Sequence, residues 1–250
     1  MSGSFSLGIM QPYFFPYLGH FALIAHTDAW VVFDITQYTP KTWMNRNRVL
    51  HPSGGPNWVS VPLANGSISI TTSQARVADL AGTARSVQGK LSHYRRKAPH
   101  YDKVMALVDE AFALPEGDDS LVHLNVSALR AVCRHLALPF APRICSELAL
   151  DLPAHLGPGD WALEIATRLG ADRYLNPMSG RGLFDAARYA ERGVRLEFLE
   201  MPTLAYATGR WDPVPDLSIL DVLMWNDPAV VRQALMTQAR HISGHELALG

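Results

Sequence analysis

Within its first 33 residues the chain passes from a short apolar stretch, Ser6 to Met10, through QPYFFPYLGH and a helix-like segment into a second apolar run at 30–33. Pro12 and Pro16 stop the first stretch from continuing as a strand, because proline donates no ladder hydrogen bond and fixes φ. Phe21, Leu23, Ile24 and Ala25 give residues 19–28 the apolar face of a helix opening at Gly19-His20, and the run at 30–33 is β-type and ends in Asp34. Strand, loop, helix and strand in about thirty residues is the length of a βαβ unit. Two parallel neighbouring strands send their carboxyl-terminal loops to the same edge of a sheet, which is where open α/β folds bind ligands.

The rest of the chain restores the same alternation. KTWMNRNRVL at 41–50 is polar and ring-bearing, and GGP at 54–56 breaks the chain before the β-like NWVSVPL. From 79 to about 138 the pattern is helical, interrupted at Pro99 and at the PEGDDS loop, 115–120. Residues 160–169 and 185–192 read as helices, each followed by a strand candidate, RYLN and VRLEFLE. The expectation is one α/β domain over residues 1–250, Rossmann-like, with a mainly parallel sheet and a helical insertion or subdomain at about 79–138.

The formal charge of -1, from 22 basic and 23 acidic residues, provides no global field toward nucleic acid or an anionic membrane, so an anion site has to be local. Neither partner class is expected; a small-molecule substrate is. Cys133 and Cys145 lack the number and spacing of a disulfide scaffold or a zinc site, and MSGSFSLG has neither a basic n-region nor an apolar h-region, so a reducing cytoplasm is expected. No metal-ligand pattern emerges from the ten histidines, and no cofactor is expected.

Three stretches fall at carboxyl ends of strands: QPYFFPYLGH, DITQYTPKTWMNRNR and NPMSGRG. In the first, Gln11 and Tyr17 are candidate substrate contacts. His20 is a candidate base or phosphate ligand, its Gly-His pair echoing half of the HxGH phosphate-gripping motif. The alternative is that the rings pack the loop onto the core and His20 caps the helix. In the second, Asp34 and Lys41 are candidate catalytic groups, while Trp43, Asn45, Arg46 and Arg48 combine cationic forks, an amide and an aromatic face suited to an anionic ligand. In the third, Asn176, Ser179 and Arg181 could contact an anion through side chains and glycine-turned N–H groups. The expectation is that Gln11, His20, Asp34, Asn45 and Arg46 surround one pocket. KLSHYRRKAPHY adds a basic patch, Lys90, Tyr94, Arg95 and Arg96, that could meet a pyrophosphate or an acyl carrier protein, or simply form a solvated face.

Taken together, QPYFFPYLGHFALI, DAWVVFD, KTWMNRNRV, GPNWVSVPL, KLSHYRRKAPHYDKV, LVHLNVSALRAVCRHLAL, ATRLGADRYLNPMSGRGLF and DLSILDVLMWN closely resemble the WbqC-like proteins, over residues 7–226. Two departures stand out: Gly19-His20 where the family commonly has Gly-Tyr, and Cys145-Ser146 where it often has paired serines. The resemblance implies a small-molecule biosynthetic enzyme of polysaccharide or other specialised clusters, acting on an amino sugar or amino acid. Three functions are compatible with the residues. The first is a transferase moving an acyl or aminoacyl group onto an amine of a sugar nucleotide or related metabolite; the second is a nucleotidylyltransferase-like enzyme; the third is a non-catalytic carrier-docking module.

Overall fold

The structure, a computed structural model, describes residues 5–245. β1 (Ser6–Met10), α1 (Leu18–Ala25) and β2 (Ala29–Val32) form the expected unit, the strands parallel with Leu7 opposite Ala29 and Met10 opposite Val32. A hairpin follows, β3 (Arg46–Leu50) and β4 (Pro56–Ser60). The helices α2 (Leu80–Leu91), α3 (Tyr101–Phe112) and α4 (Leu121–His135) come next. The chain then alternates through β5 (Pro142–Ile144), α5 (Asp160–Arg168), β6 (Arg173–Pro177), α6 (Ala186–Glu191) and β7 (Arg195–Glu200). It closes with α7 (Ile219–Trp225), α8 (Pro228–Thr237) and β8 (Arg240–Ser243).

The main sheet has six strands in the order β5-β2-β1-β6-β7-β8, parallel except for β8, which runs antiparallel on β7. From β1 the chain moves outward to β2 and β5, then returns to β6 on the other side of β1. The strand order therefore reverses between β1 and β6, and a crevice opens where their carboxyl ends diverge. The period-2 alternation of strands assigns the two faces: Trp30 and Val32 join the core with α1, the hairpin, α2–α4, α7 and α8, whereas Leu7, Ile9 and Val31 join the core under α5 and α6. This is the Rossmann-like α/β arrangement with a mainly parallel sheet that the alternation predicts. Among the described residues no helix is long and apolar enough to cross a membrane.

Two differences from the sequence-based expectation have clear causes. Residues 46–50 form a strand although RNRVL looks polar, because Asn47 takes an inward position while Arg46 and Arg48 point outward. Its reversal uses Gly54 and Gly55 at φ +95° and +75°, with His51 N–H donating to the Gly55 carbonyl at 2.7 Å. α8 and β8 were not expected. α8 starts where Asp227 accepts from Ala229 N–H at 2.8 Å ahead of Pro228 at the first helical turn, a local start signal. β8, RHIS, is a partly exposed edge strand without an apolar run.

Candidate functional site

The loop after β1 is held by its carbonyls. Asn125 on α4 donates to Pro12 O at 2.7 Å and to Met44 O at 2.8 Å. Asn47 on β3, only 2% exposed, donates to Phe14 O at 3.0 Å and Phe15 O at 2.9 Å. Ser218 Oγ also donates to Phe15 O at 2.7 Å, and Ile219 N–H to Pro16 O at 2.9 Å. Phe15 sits at φ +38°, a left-handed conformation that costs a bulky residue about 1–3 kcal/mol and persists only where the surroundings impose it. Phe14, Phe15 and Phe21 are fully buried, whereas Tyr13 and Tyr17 border the crevice. The stretch is a preformed wall.

Two adjoining cavities occupy the crevice between β1 and β6, of about 370 and 270 Å³. The first is bounded by Tyr13, Tyr17, Trp43, Asn47, Arg48 and Asp216. The second is bounded by Gln11, Phe33, Trp161, Asn176, Leu183 and Phe184. They share Met10, Tyr13, Pro177 and Ser179. At the junction Tyr13 Oη donates to Gln11 Oε1 at 3.4 Å, and behind it Asn176 Nδ2 donates to Tyr174 Oη at 2.6 Å. Arg48 Nη2 donates to the Asp216 carbonyl at 3.2 Å, while its Nε is buried without a partner. Burial, then the Asp216 and Tyr13 charges, pushes the Tyr17 hydroxyl up to about 12, and burial raises Tyr13 as well. Both phenols are therefore neutral hydrogen-bonding groups near pH 7.

Of the residues singled out in the sequence, Gln11, Tyr17, Trp43, Arg48, Asn176 and Ser179 line this cleft. The five-residue pocket does not form. His20 is 1% exposed, with ring centroids of Trp30, Tyr13 and Phe21 at 5.1, 5.7 and 6.1 Å and no partner on either ring nitrogen. Burial lowers its pKa to about 3, so it is a neutral core side chain behind the wall rather than a base at a substrate. Asp34 is equally buried; its carboxylate accepts from Ser146 N–H at 3.0 Å and Ser146 Oγ at 2.6 Å, tying down the turn after β5. Asn45 donates to Val61 O at 3.2 Å, Arg46 lies on the outer face of the hairpin over Trp58, and Lys41 is exposed at φ +58°. Arg181 is exposed in the short helical turn that follows β6.

The basic segment also divides. Arg95 and Arg96 are exposed, and Lys90 donates to Trp58 O. Tyr94 is fully buried, donating to Asp221 and accepting from Leu50 N–H at 2.9 Å, so it anchors the segment instead of decorating it. Tyr206 Oη donates to the same Asp221 carboxyl at 2.7 Å, and burial raises the Asp221 pKa. Cys145 is buried, and burial followed by the Asp34 charge pushes its thiol up to about 11, which opposes a nucleophilic thiolate. Sequence reasoning missed Tyr13, Phe33, Trp161, Phe184 and Asp216 at the cleft. Only Tyr13 carried a signal, its place in the proline-bounded loop; the others come from distant segments whose convergence depends on sheet order. Among the described residues no group of three or more His, Cys, Asp or Glu side chains is placed to hold a metal.

An open, mainly parallel sheet covered by helices, with its cleft at the reversal of strand order, defines a doubly wound α/β protein whose cleft lies at its switch point, the place where such folds bind ligands. The chain belongs to the WbqC-like protein family, which matches residues 11–233. A similar protein is the uncharacterized protein Rv1507c of Mycobacterium tuberculosis (strain ATCC 25618 / H37Rv), 25% identical over 218 residues that cover 87% of this chain and 92% of the relative. No solved structure matches the chain.

Proposed function

We propose that the protein is a biosynthetic transferase that moves an acyl or aminoacyl group onto an amine of a sugar nucleotide or related metabolite. The observation that carries this reading is the division of the cleft into two cavities that meet at Tyr13 and Ser179. A two-substrate reaction gains from two chambers with one junction, because holding both reactants in attack geometry removes the entropy of their encounter. The lobe with Arg48, Trp43 and the two phenols suits a polar, anionic acceptor; the lobe with Phe33, Trp161, Leu183 and Phe184 suits the acyl part of an activated donor.

In such a transfer the amine nitrogen bonds to the acyl carbon, the donor's leaving group departs with the electron pair of the broken bond, and the amine gives up one proton. At the junction the Ser179 hydroxyl is available to donate to the oxyanion, and the Tyr13 hydroxyl joins it once its long bond to Gln11 is released. Asp216, lining the Arg48 lobe, is the carboxylate available to take the proton, a role that the burial of His20 removes from the histidine. That burial also withdraws support from the nucleotidylyltransferase-like reading, which needs His20 at a phosphate. Exposed Arg95, Arg96 and Lys97, which border a shallow hollow, support docking of an acidic acyl carrier protein as donor, and two free cysteines suit a reducing cytoplasm.

The test is a mass-spectrometric screen of acyl and aminoacyl thioesters with amino-sugar nucleotides. An amide product is expected with wild type, reduced about 100-fold in Asp216→Asn with acceptor binding retained. Absence of both binding and transfer across the panel overturns the reading.

A further inference from the structure

The outer face of the hairpin carries an arrangement that the cleft accounts for only in part, since Arg46 and Trp58 lie outside it. Trp43 and Trp58 are the two exposed tryptophans, at 39% and 37%, and their rings stack at 5.8 Å with a 28° tilt. The Arg46 guanidinium lies 4.1 Å from the centroid of Trp58, and the Arg48 guanidinium 5.5 Å from that of Trp43. Strand pairing builds this ladder: Arg48 stands opposite Trp58 and Arg46 opposite Ser60, so both arginines project from the same face of β3. Neither forms an ion pair with a carboxylate among the described residues. Lys90 adds a further ammonium, donating to the Trp58 carbonyl.

A guanidinium laid on an indole is held by its face, which leaves edge N–H groups for a ligand; in Arg48, where Nη2 donates to the Asp216 carbonyl and Nε is buried, the group left is Nη1. Arginines two residues apart on a strand have Cα atoms about 6.6 Å apart, a spacing from which both guanidinium groups can reach adjacent phosphoryl groups of one ligand. Arg48 and Trp43 also line the first cavity, so the ladder runs continuously from the cleft to the surface. We propose that Arg46 and Arg48, braced on Trp58 and Trp43, form a diphosphate clamp at the mouth of the cleft, specific for a ligand carrying two linked phosphoryl groups such as a nucleoside diphosphate. The proposal rests on the reading of the acceptor as a sugar nucleotide and deepens it, assigning the part of that ligand the protein grips. It gives Arg46, which does not reach the cavity, a function outside it.

The experiment is calorimetric titration of the full chain with inorganic pyrophosphate, UDP, UMP and uridine at two ionic strengths, for wild type, Arg46→Met, Arg46→Lys and Trp58→Leu. Wild type should bind UDP and pyrophosphate at least tenfold more tightly than UMP and phosphate-free uridine, with the advantage shrinking at high salt. Arg46→Met should erase about tenfold of the diphosphate preference, the scale of one charge-assisted fork, and Arg46→Lys should recover only part of it. Trp58→Leu should weaken the preference while retaining both charges, because the brace is lost. Equal affinity for UDP and UMP in wild type, or unchanged diphosphate binding in Arg46→Met, overturns the clamp. If diphosphates bind in an Arg46-dependent way but no donor is ever transferred, the clamp stands and the transferase reading falls. If transfer occurs and neither it nor diphosphate binding depends on Arg46, the transferase reading stands and the clamp falls.

Discussion

Residues 11–20 and 90–97 are both ring-rich, histidine-bearing stretches, yet they meet their surroundings in different ways. In the first, the backbone is fastened by Asn125, Asn47, Ser218 and Ile219 N–H, and the side chains sort by direction: Phe14, Phe15 and His20 inward, Tyr13 and Tyr17 along the cleft. In the second, one side chain, Tyr94, supplies a buried anchor through Asp221 and Leu50 N–H, while Arg95 and Arg96 extend into solvent and the Lys97 ammonium lies 4.3 Å from the centroid of the Trp211 ring. In each stretch a residue that looks most chemical on paper, His20 or Tyr94, is packed inside and its neighbours face outward. A wall fixed through its carbonyls can present side chains without ordering them anew for each ligand, whereas a segment pinned at one ring leaves its charges to solvent and partners.

The largest effect that would break this contrast is expected at Asn47. Asn47→Ala leaves the Phe14 and Phe15 carbonyls without their shared donor and releases a backbone held at positive φ, so unfolding stability should fall by about 3 kcal/mol in denaturant titration. A loss below about 1 kcal/mol would mean that Asn47 is dispensable to the wall, its rings and the other carbonyl donors, Asn125, Ser218 and Ile219, sufficing to hold it.

A smaller, pH-dependent effect is expected at His20. Its folded pKa lies near 3 against an ordinary 6.5, so below pH 6.5 the unfolded chain binds the extra proton and the folded one does not. The stabilisation is complete above that value and is lost progressively as pH falls toward 3, amounting to about 2 kcal/mol between pH 7 and pH 5. His20→Phe, which also removes two unpartnered ring nitrogens, should flatten that part of the stability profile and leave transfer activity in place. An unaltered pH slope would show that His20 is reached by solvent.

The smallest effect sharpens the other half of the contrast. Arg95→Glu with Arg96→Glu should change stability by less than about 0.5 kcal/mol, since both side chains are exposed and unpaired among the described residues, while abolishing co-purification of an acidic carrier. A marked fall in melting temperature would show that the charges support the fold.

Much of the framework was legible in the sequence. Proline punctuation ended β1, helical spacing located α1 and α2–α4, and the alternating segments from residue 160 onward predicted β6 and β7. These are local effects of backbone sterics and apolar periodicity, which any stretch of chain carries with it. β3 was hidden because the first of its inward positions is an asparagine, whose amide N–H groups are satisfied by the Phe14 and Phe15 carbonyls across more than thirty positions. The cleft was hidden for the same kind of reason: Tyr13 and Ser179 line the same cavities only because β1 pairs with β6, Leu7 opposite Tyr174, and Asp216 joins the Arg48 lobe from a segment beyond β7. The sequence by itself determined the stiff loop, the strands with apolar runs and the helices with an apolar period, since these depend on neighbours along the chain. Which side chain of each became a wall, an anchor or a lining of the cleft was decided by tertiary structure, because burial and hydrogen-bond satisfaction depend on partners that are distant in the chain and adjacent only in the fold.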